Sequence, residues 1–174
     1  MERSLVMTMI GPDRPGLVEA VAEIVTKHSG NWLDSRMSRL GGHFAGILRV
    51  EFPTEHEDKI IQALRALESR GLSVIIHLDH PTPEPTGHRF SEIEIVGHDR
   101  PGIVREISHV LASHGVNVEE LDTERGSAAM SGESIFKARV TLRIPNTTDV
   151  SKMRRDLERI ATDLIVDISL KEKL

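Results

Sequence analysis

The chain has 174 residues, a formal net charge of −5 and no cysteine. The absence of cysteine excludes a disulfide framework, a thiolate metal site and a cysteine nucleophile, and the negative charge argues against direct binding of nucleic acid. The first residues contain no basic segment followed by an apolar stretch, and no apolar run reaches the roughly 18 residues of a membrane-spanning helix, so we expect a cytoplasmic protein with no membrane partner.

The first predicted elements are a strand and a helix joined by a turn. Met7 and Met9 lie on one face of the predicted strand, because side chains two residues apart point the same way. The turn GPDRPG follows from Gly11. Beyond it, apolar residues recur at the spacing of one helix face, which predicts an amphipathic helix. They are Leu17, Val21, Ile24 and Val25.

Two strands, a second helix and a last strand follow. The first two of these strands are joined by LGGH, which is typical of a tight turn. The second of them alternates cleanly, with Phe44, Gly46, Leu48, Val50 and Phe52 on one face. Ile60, Leu64 and Leu67 form the apolar stripe of the second helix. The order strand-helix-strand-strand-helix-strand predicts a ferredoxin-like split βαβ unit, an α+β fold with an antiparallel sheet and helices on one face.

A proline-rich segment ends this unit. HPTPEPTGH, residues 80–88, contains three prolines and a glycine in nine residues. Proline removes backbone donors and fixes φ, so the segment is typical of an extended linker. We therefore expect one domain at residues 1–79 and a second at residues 89–174.

The same elements then recur in the second half of the chain. GHDRPGIVREISHVL begins at Gly97, 86 residues after GPDRPGLVEAVAEIV at Gly11, and the same offset relates Asn31 to Asn117. The first strand of the second copy has Ile93 and Ile95 on one face and Glu92 and Glu94 on the other, which suits a sheet covered on one side only. A repeat of this length predicts two units of the same fold.

The two copies differ in the length of one loop. Pro53 corresponds to Pro145, an offset of 92, so the second copy has gained six residues after Asn117. The Gly- and Ser-rich segment RGSAAMSGES, residues 125–134, is the expected place for them. We expect an elongated hairpin tip, with a lid as the alternative.

The repeated turn has a purely structural explanation. Asp13 can cap free N–H groups at the start of the helix, and Pro15 suits the first helical turn. Gly16 has no Cβ, so a strand, a helix or a ligand can approach it closely. The same roles in the second copy fall to Asp99, Pro101 and Gly102.

The same turn also has a functional interpretation. A helix N-terminus presents unpaired N–H donors and a positive partial charge, which suit a carboxylate. Asp13 could then meet an ammonium group, and Asn31 or Asn117 could add amide hydrogen bonds. Together these groups match the two charged ends of a free amino acid.

The turn, the amphipathic helix, the downstream Asn and the split βαβ order resemble the ACT domain, a regulatory module that binds small molecules. Two such domains in tandem account for nearly the whole chain. The resemblance implies that a small amino acid binds between the first turn and a neighbouring domain. The residues implied are Asp13, Arg14, Pro15, Gly16 and Asn31 in the first copy, and Asp99, Arg100, Pro101, Gly102 and Asn117 in the second.

The resemblance also implies a class of function. The phrase Gly-Pro-Asp-Arg-Pro-Gly is similar to the start of formyltetrahydrofolate deformylases and some phosphoserine phosphatases, in which an enzyme domain follows, whereas here a second ACT-like copy follows. A tandem pair of this length resembles the glycine cleavage system transcriptional repressors. This implies a homo-oligomeric regulator that senses glycine, or alternatively serine, and contacts a DNA-binding transcriptional regulator. The alternative is an amino-acid-binding regulatory subunit of a metabolic enzyme.

Other chemistry has weaker support in the sequence. There is no Gly-x-Ser-x-Gly elbow and no Walker-type loop, so we expect neither catalysis nor a cofactor. His77 and His80 have only Asp79 beside them, which is too little for a metal site. Trp32, the only tryptophan, aligns with Val118. We expect it in the core, with a ligand-facing or domain-facing role as the alternative.

Overall fold

The computed structural model describes residues 1–79, 86–127 and 132–172. The chain divides into two compact units, Met1–Pro83 and Glu84–Leu174, which we call domain 1 and domain 2. Most of the predicted linker, residues 80–85, lies outside the described residues. The first strand of domain 2 begins at His88, one residue before the expected start of that domain.

Domain 1 contains the predicted elements in the predicted order. They are β1 (Glu2–Pro12), α1 (Leu17–Lys27), β2 (Asn31–Leu40), β3 (His43–Pro53), α2 (Glu57–Arg65) and β4 (Ser73–Leu78). Short 3-10 helices at Thr54–His56 and Ala66–Arg70 flank α2. The four strands form one antiparallel sheet in the order β2-β3-β1-β4.

Domain 2 repeats this arrangement. Its elements are β5 (His88–His98), α3 (Ile103–Ser113), β6 (Asn117–Ser127), β7 (Ser134–Pro145), α4 (Val150–Leu164) and β8 (Val166–Glu172). The sheet order, β6-β7-β5-β8, matches that of domain 1. The predicted α+β fold of two ferredoxin-like units is therefore confirmed.

The helices of each domain cover one face of its sheet, and the core lies between them. In domain 1, Met7 and Met9 are fully buried on the covered face, whereas Thr8 between them is exposed. The apolar stripe of α1 packs on this face through buried residues that include Leu17 and Val21. The alternate side chains of the strands and the apolar stripes of the helices thus pack together in one core per domain.

The six additional residues of the second copy lie at the β6–β7 hairpin. In domain 1, Leu40 pairs with His43 across a two-residue turn. In domain 2, Gly126 pairs with Ile135, so eight residues separate the equivalent partners. The predicted position of the insertion is confirmed, although residues 128–131 fall outside the part of the chain that is described.

The sheet face that α1 and α2 leave uncovered, the open face of domain 1, is apolar. Ile10, Ile47 and Ile75 on this face are 50%, 54% and 59% exposed. They lie on three neighbouring strands, because Thr8 pairs with Ile47 on one side and with Ile75 on the other. An exposed group of large apolar side chains is typical of an interaction surface.

The equivalent open face of domain 2 is charged. Arg139 Nε lies 3.7 Å from Glu92 Oε1, and Lys171 Nζ lies 2.6 Å from Glu94 Oε2. The hydrogen bond from Lys171 lowers the pKa of Glu94. Arg139 thus stands at the position of Ile47, whereas Val96, at the position of Ile10, is 43% exposed. The open face of domain 1 also has an ion pair, between Arg49 and Asp79.

Candidate functional site

The repeated phrase contains two glycines that are required for different reasons. A Cβ on Gly11 would lie 2.5 Å from the carbonyl oxygen of Gly71, so the backbone at the end of β1 passes too close for any side chain. Gly16 has a φ of +86°, the left-handed region that favours glycine. The nearest atom to a Cβ there would be Glu19 Oε2 at 3.8 Å. Among the described residues, no backbone approaches Gly16 closely, and its left-handed conformation accounts for this glycine. Close approach by a ligand stays a prediction.

Domain 2 repeats both requirements. A Cβ on Gly97 would lie 2.6 Å from Val166 Cγ1 and 2.7 Å from the Ile165 carbonyl oxygen. Gly102 has a φ of +100° and precedes α3 as its N-cap. The phrase is duplicated because the same backbone path, with one close approach and one left-handed residue, is duplicated.

The two aspartates hold the turn to the next hairpin rather than capping the helix. Asp13 Oδ2 lies 2.6 Å from Arg39 Nε on β2, and Asp99 Oδ2 lies 2.7 Å from Arg125 Nε on β6. Neither α1 nor α3 has a side-chain cap, so the prediction that these aspartates cap the helices is wrong. The offset of 86 also relates the two arginines, a signal that sequence reasoning missed.

The arginine and proline of the phrase also have matching positions in both domains. Arg14 Nη2 donates a hydrogen bond to the carbonyl oxygen of Arg70, and Arg100 Nη2 donates to that of Asp163 at 3.0 Å. Each arginine thus ties the turn to the end of the second helical segment of its domain. Because α1 begins at Leu17 and α3 at Ile103, Pro15 and Pro101 precede the first helical turn instead of occupying it.

The predicted asparagines do not lie near the turns of their own domains. Pro12 pairs with His43 at one end of β3, whereas Asn31 pairs with Glu51 at the other end, eight residues or roughly 27 Å away. Asn31 donates to Glu51 Oε1 at 3.3 Å. Within domain 1, therefore, Asn31 and the turn cannot contact the same small molecule.

Asn117 occupies the equivalent position in domain 2. It pairs with Arg143 at the end of β7 that is remote from the turn. Its side chain donates to Glu119 Oε1 at 2.6 Å. Glu119 also lies 2.8 Å from Arg143 Nε, so the amide belongs to a local polar network.

A cavity of about 240 Å³ adjoins the turn of domain 1. Arg14, Pro15 and Gly16 line one side, and Leu67, Arg70 and Leu72 line another. Glu19 and Glu23 complete the lining from α1. Among the described residues, the side chains of Glu19, Glu23 and Arg70 have no hydrogen-bond or ion-pair partner, and the first N–H groups of α1 have no intrahelical acceptor. The cavity thus combines free cationic and free anionic groups.

Domain 2 does not repeat this charge arrangement. The offset of 86 places Arg105 at the position of Glu19 and His109 at the position of Glu23. A cavity of about 770 Å³ in domain 2 touches the phrase only at Gly97 and His98, and is otherwise lined by strand and α4 residues. The backbone of the turn is conserved between the copies, but the charges around it are not.

The histidines at the ends of α1 and α3 have different partners. The His28 and His56 rings meet edge to face at 6.2 Å. Burial, followed by the positive charges of His56 and two lysines, lowers the pKa of His28. His114 Nε2 lies 2.9 Å from Asp156 Oδ2, and the hydrogen bond from His114 lowers the pKa of Asp156.

The described ranges contain neither a metal-binding group nor a membrane-spanning helix. No group of three or more His, Asp or Glu side chains in residues 1–79, 86–127 and 132–172 is placed to hold a metal ion. Within the same ranges, no helix has both the length and the apolarity needed to cross a bilayer. The cavity at the turn of domain 1, with its free charged groups, is the candidate site.

Comparison with known proteins agrees with this architecture. Residues 3–78 and residues 89–162 each match the ACT domain. The glycine cleavage system transcriptional repressor of Escherichia coli K12 is 23% identical over 162 residues, which cover 92% of this chain and 85% of that protein. A crystal structure of an unknown protein from Galdieria sulphuraria superposes over the whole of both chains with a TM-score of 0.89 at 29% identity. A proposed glycine cleavage system transcriptional repressor superposes with a TM-score of 0.72 at 20% identity, covering 98% of this chain and 97% of its own.

Proposed function

Because this chain belongs to the ACT-domain family, we propose that it is a non-catalytic, cytoplasmic regulatory protein that senses a small amino acid through domain 1. The observation that carries the proposal is the cavity beside the Asp-Arg-Pro-Gly turn, where Arg70 and Glu23 present unpaired opposite charges in one small space. A free amino acid carries the complementary pair of charges at the same scale.

The two ends of the ligand have separate partners in this proposal. Its carboxylate accepts hydrogen bonds from Arg70 and from the first N–H groups of α1, where the helix dipole also favours a negative charge. Its ammonium group donates to Glu23, and Glu19 lies one turn away on the same helix. Arg14 is held on the Arg70 carbonyl and lines the cavity beside them.

Glycine is the favoured ligand and serine the second. This preference rests on the relationship to the glycine cleavage system transcriptional repressor. The charged groups of the cavity would contact only the ammonium and carboxylate groups, which all free amino acids share. Leu67 and Leu72 limit the space around the α-carbon. We propose that they disfavour longer side chains.

Asp13, Asp99 and the domain 2 turn have supporting roles in this proposal. Asp13 keeps the turn in place through Arg39. In domain 2, Arg100, Pro101 and Gly102 keep the same backbone. Arg105 and His109 there repel an ammonium group instead of binding it, so domain 1 is the sensing copy.

The output of the protein is proposed to be contact with other proteins rather than with DNA. The relationship to a transcriptional repressor favours a DNA-binding transcriptional regulator as partner, and a metabolic enzyme is the alternative. We also propose that chains pair as homo-oligomers through the open face of domain 1. A two-fold interface would bury Ile10, Ile47 and Ile75 from both copies.

Isothermal calorimetry on the full chain tests the site. Glycine, serine and leucine are titrated into the wild type and into Glu23→Gln, Arg70→Gln and the matched domain 2 control Arg105→Gln. Loss of one charge-assisted hydrogen bond, typically about 1.5–3 kcal/mol, should weaken glycine binding roughly ten- to hundredfold in the first two variants. The control should bind like the wild type.

If none of the three amino acids binds at millimolar concentration, the proposed site is rejected. Equal loss of affinity in Arg105→Gln and Glu23→Gln would also reject it, because domain 1 would then not be the sensing copy. Capture of partners from native lysate separates the two outputs. A transcription factor supports the first, and a biosynthetic enzyme supports the alternative.

A further inference from the structure

Domain 2 contains an apolar cavity that the proposed function does not use. It has a volume of about 130 Å³ and lies between α3 and the covered face of the sheet, beside β6. We call it the α3–β6 cavity. Its lining is almost entirely hydrocarbon and includes Ile107, Leu111, Val118, Leu121, Phe136 and Val140, with Ser108 as a hydroxyl-bearing member.

Domain 1 fills the equivalent space with its own side chains. Trp32 pairs with Val50 on β3, and Val118 pairs with Leu142 on β7, so the two residues occupy the same register position. Trp32 packs against the domain 1 core. Val118 is too small to reach as far into domain 2, and it lines the cavity instead.

A second position on the same strands shows the same difference. Met37 pairs with Gly46, and its counterpart Thr123 pairs with Ala138. Met37 also packs against the domain 1 core. Thr123 is not part of the cavity lining, and the Cβ of Ala138 takes space that Met37 occupies beside Gly46 in domain 1. The change from Trp32 to Val118 is therefore the one that leaves space under α3.

The cavity is open to a molecule from solvent. Val118 is 37% exposed and Leu121 is 46% exposed, although both border the cavity. Leu121 stands where domain 1 has Ser35, so domain 2 carries an additional apolar side chain at the entrance. Apolar surface that lines an accessible concave site is available for binding an apolar group.

We propose that the α3–β6 cavity binds a small uncharged hydrocarbon group, of the size of a phenyl ring or a branched aliphatic chain. The indole of Trp32 in domain 1 shows the chemistry that suits this position. An engineered protein cavity of about 150 Å³ lined by Leu, Ile and Phe binds benzene, which sets the scale of the ligand. The group belongs either to a free apolar molecule or to the side chain of an apolar amino acid.

The test uses the full chain with isotope-labelled Ile, Leu and Val methyl groups, titrated separately with benzene, L-leucine and L-phenylalanine. Benzene should shift the methyl resonances of Ile107, Val118 and Leu121 and leave those of domain 1 unchanged. Shifts of the same methyl groups by an amino acid would identify a side chain as the natural source. Shifts by benzene alone would identify a free apolar molecule.

Substitutions then separate binding in the cavity from general association with apolar surface. Val118→Trp should fill the cavity and weaken benzene binding at least tenfold, and the smaller Val118→Phe should act in the same direction if the first variant folds poorly. In the reciprocal variant Trp32→Val, benzene should gain a second site in domain 1. The proposal is overturned if no probe shifts the three cavity methyl groups, or if a folded Val118→Trp or Val118→Phe variant binds benzene like the wild type.

Discussion

The open face of the domain 1 sheet and the open face of the domain 2 sheet have the same strand order but differ in side chains at the centre. Ile10, Ile47 and Ile75 make the first apolar, whereas ion pairs such as Lys171 with Glu94 cover the second. The fold constrains only the covered face, where alternate residues must pack on the helices. The outer faces are free of that constraint, and the two copies differ there, with Ile47 in domain 1 and Arg139 in domain 2.

The two turns also share some residues and differ in others. The shared ones hold the backbone, and some of those that a ligand would contact differ. The ion pair of Asp13 with Arg39 recurs as Asp99 with Arg125. The cavity-lining Glu23 does not recur, because His109 replaces it. Residues that hold the backbone are therefore duplicated, whereas the two acidic side chains that line the cavity, Glu19 and Glu23, occur in domain 1 alone.

The largest expected effect comes from the close approach that both domains share. Gly11→Ala and Gly97→Ala each place a Cβ less than 3 Å from a neighbouring backbone oxygen, which should cost about 3 kcal/mol of unfolding free energy in the affected domain. During denaturation, the fluorescence of Trp32 reports the unfolding of domain 1, and circular dichroism reports the unfolding of both domains. Only Gly11→Ala should lower the midpoint of the fluorescence transition.

Equal shifts of that midpoint in both variants would contradict independent unfolding, because the two domains would then unfold as one cooperative unit. Gly126→Ala is the matched control. A Cβ at Gly126 meets no atom within 4 Å, and the residue has no positive φ. We expect no more than a small effect there.

The open faces should differ in their effect on self-association. Burial of a half-exposed isoleucine contributes about 1 kcal/mol, and a two-fold interface counts it twice, so Ile47→Glu should weaken pairing roughly thirtyfold. Arg139→Glu at the equivalent face of domain 2 should leave pairing unchanged. Sedimentation velocity over a concentration series measures both. A wild type that remains monomeric at all concentrations would contradict the proposed interface.

The left-handed glycines should give a smaller and equal effect in the two domains. Gly16→Ala and Gly102→Ala introduce a Cβ without a steric clash, so the cost is the strain of the left-handed conformation, about 1–2 kcal/mol. Asparagine at either position should recover part of that loss because it tolerates this conformation better. Chemical denaturation of the four variants measures the difference. A loss from Gly16→Ala as large as that from Gly11→Ala would show an unrecognised contact at the turn.

The smallest expected effect is a difference in pH dependence. Burial, followed by the positive charges of His56, Lys27 and Lys59, lowers the pKa of His28 below 6.5 in the folded domain. Between the folded pKa and pH 6.5 the unfolded chain binds more protons, so domain 1 loses stability as the pH falls from 6.5 toward the folded pKa. The pKa of Asp156 is lowered from 3.8, so its contribution in domain 2 persists until the pH falls below that value.

Denaturation of the wild type and His28→Gln between pH 7.5 and 4.5 checks this difference. The substitution should reduce the pH dependence of the Trp32 transition. Asp156→Asn is the control, because its effect should disappear only in more acidic solution. An unchanged slope in His28→Gln would assign the acid sensitivity of domain 1 to other groups.

The sequence predicted the fold well because the patterns are local and occur twice. Alternation at Met7 and Met9 identified a strand, and the 3.6-residue stripe from Leu17 identified a helix, without knowledge of any distant contact. Because the phrase and the patterns around it occur twice, each predicted element could be compared with its counterpart in the other copy. The position of the additional loop followed from the change in offset after Asn117.

The candidate site was harder to predict because it depends on distances between elements. Asp13 has the side chain of a helix cap, but Arg39 on the neighbouring strand competes for it at 2.6 Å. Asn31 follows the helix closely in sequence, yet α1 returns the chain to the opposite end of the sheet. Glu23 joins the cavity only because α1 packs beside Leu67. These relations depend on tertiary packing, which periodicity does not report.

The ion pair of Asp13 with Arg39 has a consequence for signalling. β2 is an edge strand, so its outer backbone groups are available to pair with a strand of another chain. A ligand that moves the turn would change that edge through Arg39, and by reciprocity a strand added there would change ligand affinity by the same factor. Because an exposed ion pair contributes about 0–1 kcal/mol, the coupling would be at most roughly fivefold. Under the proposed function, a coupling this small would change the affinity for an added strand only slightly even when the ligand site is saturated.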